Sequence, residues 1–184
     1  MEKEEHVIVL DFLAEGYPGR RHPEPIAQGV GTHFTLLELV AREDISLEPG
    51  QEVYIGEGKR EKIKYIKGTL KLKELTNFAN DNLEDAINKI IEKREDEFVK
   101  FFNKGGMITP RMHQFQLLPG IGRKHVSDML DARKQKDFES LDDIKKRVKL
   151  FPDPKKVLTK RIKKELEGNE KYYLFVPKKS KRNH

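Results

Sequence analysis

Ten residues carry the clearest chemistry in this chain: LLPGIGRKHV, residues 117–126. Gly120 can take a left-handed backbone that penalises any side chain. Gly122 has no Cβ, so a ligand can approach its main chain, and it stands where a helix running to about Arg133 begins. The first N–H groups of a helix have no internal partner and share the positive end of its dipole. That end suits a phosphate oxygen, with Arg123 and Lys124 beside it and Arg111 and His113 on the preceding helix. Such a contact reads backbone, not bases. Ile121, between the glycines, is expected to be buried and to hold the turn rigid.

Catalytic patterns do not accompany this stretch. Cysteine is absent, so thiolate metal sites and disulfides are excluded. The six histidines, at 6, 22, 33, 113, 125 and 184, have no metal-ligand spacing, and no metal site is expected. There is no Walker loop, nucleophile elbow or His-Glu-x-x-His. Asp142-Asp143 and Glu95-Asp96-Glu97 read as solvated helix faces. The chain reads as a non-enzyme without an organic cofactor.

Charge points to a partner. Of the net +6, residues 1–70 contribute −4, residues 71–107 contribute −1 and residues 108–184 contribute +11. A basic region of this kind is expected to face a polyanion. No apolar run reaches the length of a membrane span, and the acidic start MEKEEH is unlike a signal peptide, so a cytoplasmic location is expected.

The elements that must hold these residues follow from pattern. HVIVLDFL (6–13) reads as a strand, the Pro- and Gly-rich GYPGRRHPEP as a loop, and GVGTHFTLLELVA as a strand bent at Gly29 and Gly31. EPGQEVYIG and KIKYIKG supply two more. Short strands with turns between them predict an OB-like antiparallel β-barrel over 1–70, closed by 69–72 or by the alternating KYYLFV (171–176). Arg20, Arg21 and His22 lie in its long loop, where barrels of this kind meet single strands; they are secondary candidates. Linking helices are expected over 71–106, starting from Asp81 and Glu84 at capping-box spacing. Leu83, Ala86, Ile87, Ile90, Arg94, Phe98 and Phe101 form their stripe, and Gly105-Gly106 ends them. Over 107–168 a helix is expected from Thr109 and Pro110 to Leu118. The 122–133 helix follows it across PGIG. Residues 169–184 complete the chain as a strand and a basic tail. The fold class is α+β, a small OB-like barrel followed by a helical domain.

LLPGIGRKHVSDMLDAR resembles the helix-hairpin-helix motif of DNA repair, recombination and competence proteins. The matching positions are Leu118, Pro119, Gly120, Ile121, Gly122 and the pair Met129–Leu130. FESLDDIKKRV resembles the segment that follows the motif in bacterial competence receptors, so the likeness covers 108–167. Val126 departs from it, because the family keeps a small Ala there. The resemblance implies nucleic-acid binding through phosphate contacts, and a monovalent cation, K⁺ or Na⁺, at the carbonyls of residues 118–122. A gapless alignment at an offset of 32 residues gives a degenerate second copy, with Pro152 and Pro154 under the two glycines. There Lys155, Lys156, Lys160 and Arg161 can meet phosphate only as plain charges. The whole chain resembles the archaeal domain-of-unknown-function family 655, described as predicted OB-fold nucleic-acid binders. The leading expectation is non-enzymatic binding of DNA or RNA without strong sequence preference. The alternative is a protein-interaction or dimerisation adaptor, or an accessory subunit of an RNA- or DNA-processing complex.

Overall fold

The computed structural model describes residues 3–179. It is a mixed α+β chain whose described residues form two compact units, 3–87 with 165–179 and 88–164. These divisions fall within helices. The last five residues of the basic tail, 180–184, lie outside the described residues.

In the first unit, five antiparallel strands form one sheet: β1 (His6–Leu13), β2 (Ile26–Gly31), β3 (Leu36–Ala41), β4 (Glu52–Tyr54) and β5 (Ile63–Thr69). Their order is β4-β1-β2-β3-β5. The register shifts in β1 between Val9 and Asp11, and twice along the β3–β5 pairing. Such bulges raise local twist and curl the sheet into a half-barrel. Val7 and Val9 on β1 and Leu37, Leu39 and Ala41 on β3 alternate onto one face, where they meet Val53, Ile55 and Ile63.

GVGTHFTLLELVA is not one strand but a hairpin. The chain reverses at residues 32–35, with the Gly31 N–H donating to Thr35 (2.8 Å) and Phe34 at φ 65°. A phenylalanine does not announce a left-handed turn. Tertiary partners hold it there: Phe34 is 1% exposed, and the Glu4 carboxylate accepts from the N–H groups of His33 and Thr35.

One of the two segments expected to close the barrel is also replaced. Residues 171–176 form no strand. Instead the buried carboxylate of Glu165 accepts from three successive N–H groups, of Leu174 (2.8 Å), Phe175 (2.9 Å) and Val176 (3.1 Å). Successive residues of a strand face opposite sides, so three successive donors converge on one oxygen only if the chain bends.

Helix α1 (Asn77–Lys93) starts before Asp81. Thr76 Oγ1 accepts from the Ala79 N–H (3.0 Å) and donates to Asp11 Oδ2 (2.6 Å), so the cap is tied to β1. Gln28, fully buried on β2, donates to the Tyr17 hydroxyl (3.0 Å) and the Glu74 carbonyl (3.1 Å) and accepts from the Thr76 N–H (2.9 Å). The helical stripe breaks at Arg94 (φ −110°, ψ 27°), and α2 (Glu95–Lys104) resumes with three acids in its first turn. Gly105 ends α2 as expected, though with φ −53°, outside the left-handed region.

The second unit continues with β6 (Met107–Thr109), β7 (Met112–His113), a 3-10 turn (Gln114–Leu117), α3 (Arg123–Gln135), α4 (Leu141–Arg147) and α5 (Pro154–Glu167). The helix expected from Thr109 is absent. Thr109 pairs with Met112 across a tight turn, and its Oγ1 accepts from the Arg111 N–H (3.2 Å). Thr-Pro here begins a turn, a role as natural to these residues as starting a helix. Phe102, Phe115, Met129, Ile144, Leu158 and Ile162 are fully buried and form the core of this unit. No helix of the described residues is long and apolar enough to cross a membrane.

Glu165 gives a test of the first unit. Glu165→Leu strands three amide donors and is expected to cost about 1–3 kcal/mol, with Glu165→Gln intermediate. Denaturant unfolding of the three proteins checks the order.

Candidate nucleic-acid interface

Residues 118–121 form a turn closed by the Ile121 N–H on the Leu118 carbonyl (3.2 Å). Gly120 takes φ +78° within it, so the glycine is required by conformation. Ile121 is buried, as expected. Gly122 differs. It is the N-cap of α3 with φ −100° and ψ −178°, an extended backbone open to any residue, and a Cβ placed on it would meet nothing within 4 Å. Neither conformation nor packing calls for glycine there. No side chain caps the first turn of α3, and Arg123 and Lys124 are exposed on it. Lys124 leans back toward Asp128 (3.4 Å).

The second turn corrects the gapless alignment. Residues 148–151 repeat the first turn, with the Phe151 N–H on the Val148 carbonyl (3.4 Å) and Leu150 at φ 61°. The counterpart of Gly120 is therefore Leu150, not Pro152. Pro152 is an extra residue between turn and helix, and the N-terminus of α5 is served by Asp153. Its Oδ1 accepts from the N–H of Lys155 (3.0 Å) and Lys156 (3.4 Å). The two turns thus share a backbone path but differ in chemistry: α3 begins with an uncapped terminus beside cations, and α5 begins with a carboxylate.

A histidine joins them. His125 Nδ1 accepts from the Gly122 N–H (3.1 Å), and Nε2 lies 3.1 Å from the Leu150 carbonyl. With Nδ1 accepting, the proton sits on Nε2 and donates to that carbonyl. The sequence pattern does not single out His125 as a site residue. Its signal was position, third in the helix, where a capping box places Glu or Gln; an imidazole nitrogen accepts equally well.

The other candidates scatter. Arg111 is exposed in the β6–β7 turn, away from any helix. His113 is buried: its Nδ1 accepts from the Phe115 N–H (3.1 Å), and its ring lies 4.4 Å from that of Phe115. Burial first, and the Arg133 guanidinium second, push its pKa below the usual imidazole value, while the Gly105 carbonyl pulls the other way. His113 therefore shapes the turn from inside the unit. Lys155 pairs with Glu92, Lys156 is exposed, and Arg161, 1% exposed, is internal. Arg20, Arg21 and His22 are exposed in the β1–β2 loop of the first unit. No group of three or more His, Asp or Glu residues among the described residues could hold a metal ion.

Sheet, helices and turns define a class, a curled five-stranded half-barrel followed by helices. Residues 3–177 match the family model described as "Protein of unknown function (DUF655)", and the chain belongs to that family. The uncharacterized protein MJ0038 of Methanocaldococcus jannaschii is 39% identical over 176 residues, covering 94% of this chain and 80% of its own. The crystal structure of Af1531 from Archaeoglobus fulgidus, also of DUF655, is 40% identical with a TM-score of 0.88, covering 95% of this chain and 100% of that one.

The equivalent turn positions should respond with opposite signs. Gly120→Ala forces a Cβ into the left-handed region and is expected to cost about 1–2 kcal/mol. Leu150→Gly removes a strained side chain that is 91% exposed and should stabilise by up to about 1 kcal/mol. Chemical unfolding of both variants decides this.

His113 sets a pH dependence. Its folded pKa lies below the unfolded one, so its contribution is complete above about pH 6.5 and is lost as pH falls through the folded value. Between about pH 7 and 5 the wild type should lose more stability than His113→Asn, whose amide oxygen can still accept from Phe115. Denaturant midpoints at the two pH values measure the difference.

Proposed function

We propose that this protein binds nucleic acid without catalysing a reaction, gripping phosphate at the N-terminus of α3. The supporting observation is Gly122, a glycine that neither backbone nor packing requires, at an uncapped helix end flanked by Arg123 and Lys124. A bare main chain there lets a phosphate oxygen reach the free N–H groups of the first turn. The Gly122 N–H itself is held by His125, so the donors in this reading are the N–H groups of Arg123 and Lys124, aided by their side chains. The paired turns support a tandem helix-hairpin-helix whose second copy is closed by Asp153. In the same reading the half-barrel is of OB type. A K⁺ or Na⁺ ion at residues 118–122 belongs to this proposal. The Leu118 and Gly122 carbonyls each already accept one N–H, so the ion would use their second lone pairs. Phosphate contacts carry no base information, so the partner is DNA or RNA with little sequence preference.

A second reading, a protein-contact adaptor or an accessory subunit of a processing complex, draws on Met107 and Leu150, both apolar and exposed in the same unit. Under it, Leu150→Asp would disrupt self-association or partner capture and leave nucleic-acid affinity unchanged.

Titration of duplex DNA at several salt concentrations tests the main reading. With about 4–6 phosphates neutralised, log K should fall with log salt at a slope of about −4 to −5. Gly122→Val fits the structure, so it should fold normally and weaken binding at least about tenfold. Binding indifferent to salt, or equal in the variant, would overturn the proposal.

A further inference from the structure

The loop between β1 and β2 borders a cavity of about 250 Å³ in the first unit. Its lining includes Ile26, Tyr17, His22, three basic side chains (Arg20, Arg21 and Lys67) and one carboxylate, Glu24. Residues 1–70 are net acidic at −4, so three of their nine cations meeting around one cavity runs against the regional balance. Arg20 and Arg21 form no ion pair among the described residues, and Lys67 reaches Glu38 only at 3.9 Å. Glu24 is already engaged, accepting from the Tyr65 hydroxyl (2.9 and 2.8 Å).

Beside Gly16 and His22, Ile26 and Tyr17 supply an apolar and an aromatic wall. Ile26 is buried at the start of β2. The Tyr17 hydroxyl accepts from Gln28, a fully buried side chain that is itself held by Glu74 and Thr76. The ring is therefore anchored to the sheet, although it belongs to a loop. Three cations against one lining carboxylate, a fixed aromatic ring and an apolar residue form a set for an anion that carries a flat group. Ligand pockets commonly span about 300–1,000 Å³, so a cavity below that range takes one such group, not a run of nucleotides.

We propose that this cavity binds a single nucleoside phosphate monoester, with the phosphate between Arg20, Arg21 and Lys67 and the nucleoside against Tyr17. Two arginine forks match a dianionic phosphate better than lysines would, because each can give paired hydrogen bonds. The ligand is either a free mononucleotide or the 5′-phosphorylated end of a strand; the recognising chemistry is the same. The site lies in the first unit and stands whether or not α3 binds nucleic acid.

NMR titration of the full chain with adenosine 5′-monophosphate, and separately with adenosine, tests the proposal. The monophosphate should shift amide signals of residues 16–26 and Lys67, with adenosine at least about tenfold weaker. Arg20→Ala/Arg21→Ala, which alters only exposed loop side chains, should weaken the monophosphate at least about tenfold while leaving the dispersed spectrum intact. Gly122→Val should bind it like the wild type, which separates this site from the one at α3. Comparing 5′-phosphorylated with 5′-hydroxyl oligonucleotides then identifies the source. A preference for the phosphorylated strand over the mononucleotide assigns strand ends, and equal affinity assigns the free nucleotide. Equal binding of adenosine and its monophosphate, no shifts at millimolar ligand, or an unaffected arginine variant would overturn the assignment.

Discussion

Helices that end inside a small unit leave carbonyls without an intrahelical partner, and in residues 88–164 arginine answers that constraint. Arg133 donates to the carbonyls of Phe102 and Gly105 at the end of α2. Arg147 donates to Ala132, Lys136 and Asp137 at the end of α3 while its guanidinium lies over the Phe138 ring. Arg161, fully buried, donates to the Leu117 carbonyl just before the first turn. A guanidinium offers five donors in a fixed plane, so one side chain can close several carbonyls that lysine would serve one at a time. These contacts help fix the helix ends, and the segments that lead into the turns, within the unit. The same contacts reduce the charge left for a polyanion: three of the cations that make residues 108–184 basic are spent on the protein's own backbone.

The first unit solves a similar problem with side chains of the opposite kind. Asp11, Gln28 and Thr76 form a buried polar network in which each partner is satisfied, and it fixes the start of α1 against the sheet. Glu165 does the same for the bend at 174–176. A buried polar group without partners costs more than a hydrogen bond gains, so such networks specify one arrangement of the chain by penalising the others.

This explains what was legible in the sequence. Strands β1, β4 and β5, the end of α2 at Gly105, the left-handed Gly120, the buried Ile121 and the start of α3 all follow from local residue type and spacing. The hairpin at 32–35, the early start of α1 and the bend at 171–176 do not, because each depends on a distant carboxylate: Glu4, Asp11 or Glu165. Thr109-Pro110 misled because the same pair suits a helix start and a turn, and only the pairing of β6 with β7 chooses. The offset between the two turns misled because Pro152 is inserted between a turn and a helix, where sequence offers no marker. His125 was missed because its role lies in joining two turns, which spacing along one helix does not reveal.

The unequal helix starts after the two turns have a geometric consequence. A pair of matched turns would present an object with approximate two-fold symmetry, which a two-fold symmetric ligand could meet in either sense. Asp153 at one start and a bare Gly122 at the other remove that equivalence. One helix start is left electrically open and the other is closed by a carboxylate, so the two halves of the pair are not interchangeable.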